Sequence, residues 1–216
     1  MQVKERALAW LLAASILEQT HTGSSIVETG FGMKQGRPRE YGIRPVPGFA
    51  DERVAMAAAA LDELRARVID QIEDLPREAL TFAPTGTTLT IAALVAHLVW
   101  AEVGWLERFS GTTAPSDLRA AVDAAGRAVP TGVQVIPDLD AEALVSLCER
   151  VGEELALPVL TRLTDIEVEL PNEDRPMTPR AVLMHLIWHW TYHSAHIGLI
   201  REQWGSGYAW TFGGMG

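Results

Sequence analysis

Leu61, Leu64, Val68 and Ile72 recur three and four residues apart between Asp51 and Pro76. That spacing lines one face of an α-helix. With Asp51 as N-cap and Pro76 as stop, it predicts a helix over residues 52–75. Thr90 opens a second, from Ile91 to about Phe109, carrying Leu94, His97, Leu98, Ala101, Trp105 and Arg108; the turn-rich run from Ser110 to Pro115 ends it. Asp140 caps a third over residues 141–164, with Leu144, Leu147, Val151 and Leu155 inward. Pro158 should kink that helix or sit at a join. Thr178 followed by Pro179 starts a fourth, running to about Trp204 and closed by Gly205-Ser206-Gly207.

The intervening stretches are weaker. Ser116-Asp117-Leu118 opens a short helix, Val133 to Ile136 reads as an extended piece, and residues 166–170 alternate apolar with acidic, as in a short exposed strand or extended connector. Four amphipathic helices with one long crossover between the second and third make an all-α four-helix bundle, an architecture that builds metal sites from facing helices. Residues 51–216 are assigned to this bundle and its Gly-rich C-terminal tail, and residues 1–50 to an N-terminal extension and linker. Lys4 and Arg6 before the apolar run Ala7 to Leu17 imitate a secretory signal. The run is too short to span a bilayer and no convincing small-residue cleavage site follows, so it reads as an accessory helix, or as an upstream extension with Met33 starting the domain proper.

Composition narrows the function. A net charge of −10 without any Lys/Arg run argues against nucleic acid and against an anionic membrane surface. The lone Cys148 forms no internal disulfide, which suits the cytoplasm, and its apolar neighbours mark it as a small core residue.

The fourth helix holds four of the six histidines. At about 100° per residue, His185, His189, His193 and His196 fall within roughly 80° of one another on the wheel. Neutral imidazole is the commonest metal ligand, and an i, i+4 pair presents two nitrogens to one ion. Both His185/His189 and His189/His193 have that spacing, His193/His196 is sterically possible, and His185 and His193 lie about 12 Å apart, too far for one ion. His97, on the apolar run of the second helix, is the remaining histidine that a bundle can place opposite this stripe. Trp100, Trp188, Trp190, Tyr192, Trp204, Trp210 and Phe212 are candidate pocket walls, though most suit core or helix-end packing better. On the wheel Glu102 is turned away from His97. Arg108 shares its face and reads as a bundle-end ion pair more readily than as a substrate clamp.

Phe82-Ala83-Pro84, the run from Thr90 to Leu98, and the run from Met184 to His193 together resemble the DinB family of metal-binding four-helix bundles, over roughly residues 51–205. Within it the chain looks like the branch of mycothiol-dependent transferases and maleylpyruvate isomerases, on His97, Glu102 and Trp105 and on His193-Ser194-Ala195-His196 followed by Arg201-Glu202. The resemblance implies a ligand set of His97, His189 and His193. That branch often has glutamate as the first of the pair, and His189 here follows the wider family instead. His185 and His196 become candidates to back the ligands or face a substrate. The implied activity is a metal-dependent thiol S-transferase, in which a divalent ion, zinc first and nickel possible, activates a low-molecular-weight thiol toward a small-molecule substrate. A hydrolase or a non-catalytic metal-binding bundle is the alternative. A homodimer is implied by analogy alone.

Overall fold

The computed structural model describes residues 32–39, 42–126, 138–170 and 177–211. Within them the chain is an all-α bundle. Its helices are α1 (Glu52–Ile72), α2 (Arg77–Thr81), α3 (Ile91–Ser110), α4 (Ser116–Gly126), α5 (Ala141–Arg150), a π-helical turn (Val151–Ala156), α6 (Leu157–Thr161) and α7 (Pro179–Trp204). The expected caps form. Thr90 Oγ1 accepts from the Ala93 amide, an Asp140 carboxylate oxygen from Ala143, and Thr178 Oγ1 from Ala181, each satisfying an otherwise unpaired first-turn donor. Gly205 closes α7 at φ 95°, a left-handed conformation that a residue with a Cβ adopts only at a cost.

α1 ends earlier than its apolar spacing predicts, because the chain turns after Ile72 and Pro76 begins α2. The third rod runs through Pro158 without a break. Proline has no N–H to offer the preceding turn, and the chain widens just ahead of it, with the Leu157 amide reaching the Gly152 carbonyl. Residues 166–170 are a connector and not a strand: Ile166 and Leu170 are buried, and the Leu170 amide donates to Met177 O. The accessory-helix segment, the Val133–Ile136 piece and Phe212 lie outside the described residues.

The core joins Leu61, Val68 and Ile72 of α1 to Leu94, Leu98 and Val103 of α3, Leu144, Val151 and Leu155 of the third rod, and Leu186, Trp190 and Ile197 of α7. Helix α7 packs against both α1 and α3 and is thereby held between them. A feature without sequence signal closes one end. β1 (Lys34–Gln35) pairs in parallel with β2 (Tyr208–Ala209), and the Lys34 and Gly36 amides donate to Gly207 O and Ala209 O at 2.8 and 2.9 Å. This clasp sits on α1. Asp70 is buried there and accepts from the Arg37 amide at 2.8 Å and from the Tyr208 hydroxyl. Burial opposes ionisation of Asp70, but these donors and Lys34 outweigh it and hold the carboxyl below its usual range. Burial, then the bond to Asp70, pushes the Tyr208 phenol up. Beside it the buried Arg201 of α7 grips Asp74 at 2.7 Å and Ser206 O at 2.8 Å.

Candidate metal centre

Packing α3 against α7 brings one imidazole from the former against two from the latter. Nitrogens of His97, His189 and His193 all lie within 4.8 Å of one another, close enough to hold one metal ion. The Nε2 atoms of His97 and His189 stand 3.0 Å apart. Nitrogens bound to zinc at roughly 2.0–2.1 Å in a tetrahedron are about 3.3 Å from one another, so the pair is already near a coordination edge. The rings of His97 and His193 meet edge-on at 5.2 Å, and those of His189 and His193 at 4.7 Å.

The electrostatics favour metal over proton. Burial first, then the neighbouring imidazoles of His193, His97 and His185, push His189 down to about 3. Burial and the charges that His97 and His196 would carry push His193 to about 4, and burial lowers His97 too. All three are therefore neutral at pH 7 with lone pairs available. Their Nδ1 atoms are buried without a hydrogen-bond partner, so no group behind the rings orients them through that nitrogen. A donor set of three neutral imidazoles from two rigid helices fits a divalent ion such as zinc and leaves a coordination position open.

The two outer histidines differ in placement. His185 is exposed on the wall of a cleft of about 340 Å³ that ends at His97 and His189 and is walled by Trp100 and Trp105. Its ring lies nearly parallel to that of His189, at 5.6 Å, and edge-on to Trp105 at 5.7 Å. His196 is half-buried on the other side of His193, under Tyr192 at 4.4 Å. Arg108 lines the same cleft, its guanidinium 5.5 Å above the Trp105 ring. The expected aromatic walls divide. Trp100 lines the cleft, Trp190 is in the core, Trp188 and Tyr192 stack on the outside of α7, Trp204 packs on Phe82, and Trp210 lies beside Tyr208.

Behind the histidines lies a buried polar cluster that sequence reasoning did not assemble. Glu102 accepts from Arg65 Nη2 at 2.6 Å and from Trp190 Nε1 at 3.0 Å, and both acid and Arg65 are buried. The wheel placed Glu102 away from His97 but could not supply its partners, which come from α1 and α7. Gln71 Nε2 donates to Ser194 Oγ at 3.0 Å and fixes α7 next to His193. Cys148 is buried near Arg65, and burial pushes its thiol up to about 12, so it is inert packing.

No helix among the described residues is long and apolar enough to cross a membrane. A model of the Mycothiol-S-transferase family matches residues 56–205, a span that includes every histidine named above. No curated protein matches the chain.

Proposed function

The chain belongs to the Mycothiol-S-transferase family, and we propose from that premise that it transfers a low-molecular-weight thiol, mycothiol by family, to a small electrophile. His97, His189 and His193 would hold the divalent ion, with zinc the first choice for an all-imidazole set. When bound, such an ion supplies a Lewis acid that lowers the pKa of a thiol, so that sulfur attacks as thiolate.

The protein's own groups supply the rest. Burial keeps the three imidazoles uncharged, so none repels a cation at pH 7. Trp100 and Trp105 give the cleft apolar walls that orient an electrophile and exclude water. The His185 imidazole, exposed on that wall, is the acceptor for the proton the thiol gives up. A thiol cosubstrate calls for a reducing compartment; the cytoplasm is the proposed location, in accord with a single unpaired cysteine.

The observation that carries this reading is the convergence of three neutral imidazoles at the end of an aromatic-walled cleft. It is tested by metal analysis together with mycothiol-dependent consumption of a panel of alkyl halides, epoxides and activated alkenes. Wild type should bind about one divalent ion and turn over at least one electrophile class. His97→Ala and His193→Ala should lose both properties while keeping their helical signal. Stoichiometric metal in both variants would overturn the ligand set. Metal without turnover across the panel would make the protein a metal-binding bundle and remove the transferase reading.

A further inference from the structure

Four glycines lie within helices among the described residues, and three of them have a steric reason to be glycine. A Cβ at Gly126 would run into Trp100, one at Gly152 would stand 3.0 Å from the Arg65 guanidinium, and one at Gly198 would stand 3.1 Å from Gln71 Oε1. Gly104 of α3 has no such reason: a Cβ there meets nothing within 4 Å, and the residue has no positive φ. Glycine in mid-helix is destabilising relative to alanine, so position and packing leave this residue unexplained. What it does have is a place on the cleft, which Gly104 and Ala101 line together with Trp100, Trp105 and the histidines. At about 100° per residue Trp100, Gly104, Ala101 and Trp105 fall near 0°, 40°, 100° and 140° on the α3 wheel, with His97 near 60°. Two indoles thus flank a strip of helix without bulky side chains, and the strip leads outward from His97.

We propose that Gly104 sets the length of the organic group the cleft accepts, and that this group is a flat aromatic one on the electrophile, up to the size of naphthalene. The assignment to an electrophile rests on the transferase reading above. With a rise of about 1.5 Å per residue, Ala101 and Gly104 stand about 6 and about 10 Å beyond His97 along α3. A single ring on the reacting carbon covers the first turn, over Ala101, and a second fused ring reaches Gly104. Indole walls suit such a guest, because offset or edge-on ring contacts add to the gain from burial. A sugar-bearing thiol is the poorer occupant: each of its hydroxyls needs a partner on burial, and Ala101 and Gly104 offer no side-chain donor or acceptor. A side chain at Gly104 would grow into open space, since its Cβ contacts no protein atom, and so would shorten the cleft without disturbing the bundle. With a halide as electrophile, the C–S bond forms as the carbon–halogen bond breaks and the halide ion leaves.

Naphthalenemethanol, which cannot react, and chloromethylnaphthalene, which can, test this on the full chain. Calorimetric titration should show the alcohol binding to wild type, and Gly104→Leu should weaken that binding about ten-fold with helical signal and bound metal retained. In turnover with mycothiol, the same substitution should lower kcat/KM for chloromethylnaphthalene about ten-fold relative to that for iodoacetamide, which is too short to reach Gly104. Gly104→Ala should raise the thermal midpoint, as at a helical position that glycine occupies for no packing reason. Equal affinity of wild type and Gly104→Leu for the alcohol, an unchanged ratio between the two electrophiles, or a lowered midpoint for Gly104→Ala would each overturn the proposal. Binding of the alcohol involves no reaction. A wild type that binds it yet consumes neither electrophile therefore keeps the role of Gly104 in the cleft and loses the transferase reading instead.

Discussion

Trp190 Nε1 donates to Glu102 Oε2 across 3.0 Å, and the other oxygen of that carboxylate accepts from Arg65 at 2.6 Å. One buried acid thus joins α3 to α7 and to α1. Trp190 is the residue after His189, and Glu102 lies five positions after His97, so the cluster fixes how the two ligand-bearing helices are rotated toward each other. The cation–π placement of Arg65 over Trp190, at 5.9 Å, closes the triangle.

Glu102→Ala should destabilise the protein by about 3–5 kcal/mol, because it strands a buried guanidinium and an indole N–H. Glu102→Gln keeps an acceptor for Trp190 and should cost less. Urea unfolding of the metal-free protein measures the difference; equal stability of wild type and Glu102→Ala would remove the cluster's structural role.

Acid should destabilise the metal-free protein through the histidines. The ordinary imidazole value is 6.5, whereas His189 and His193 stand at about 3 and about 4 in the fold. Below pH 6.5 the unfolded chain therefore binds more protons than the native one, and stability falls as pH drops from about 6.5 toward 4. Above that window these groups contribute no pH dependence. Thermal midpoints between pH 7.5 and 4.5 should decline less steeply for His189→Gln/His193→Gln than for wild type.

Gly126→Ala should be unfavourable for a reason outside helix propensity. A Cβ there would lie 2.4 Å from Trp100 Cβ, which cannot swing aside as a flexible side-chain tip can. The expected cost is about 1–3 kcal/mol. Displacement of Trp100 should also alter the cleft it lines, read as a raised KM for the electrophile.

Arg201→Met should lower stability by about 3 kcal/mol, since buried carbonyls of Gln71 and Ser206 lose their donor and Asp74 keeps only Lys34 of its two cations. Denaturant midpoints report it.

Much of the bundle is written locally. Asp51, Thr90, Asp140 and Thr178 announce helix starts by residue type alone, and the apolar spacing that follows carries the helices to within a few residues of their ends. That His97 would face the histidine stripe was readable because a bundle has few ways to place one apolar helix face against another, whereas the choice of His189 and His193 from that stripe came from the family resemblance and not from spacing. What escaped depends on partners remote in sequence. Two-residue strands have no periodicity to detect, and nothing near Lys34 names Tyr208 as its neighbour. The alternation at residues 166–170 imitates a strand, yet burial of Ile166 and Leu170 against the bundle accounts for it without any pairing. Arg108 shares the wheel face of His97, and only the packed helices show that this face opens into the cleft.

The parallel clasp has a kinetic consequence. Its two strands flank the entire bundle in the chain, so its hydrogen bonds can form only once α1 and α7 already lie side by side. It is the last stitch of folding and the first to come undone. The amide deuterons of Lys34 and Gly36 should therefore exchange well before those of Val68 or Leu98, reporting a local opening that leaves the helices standing.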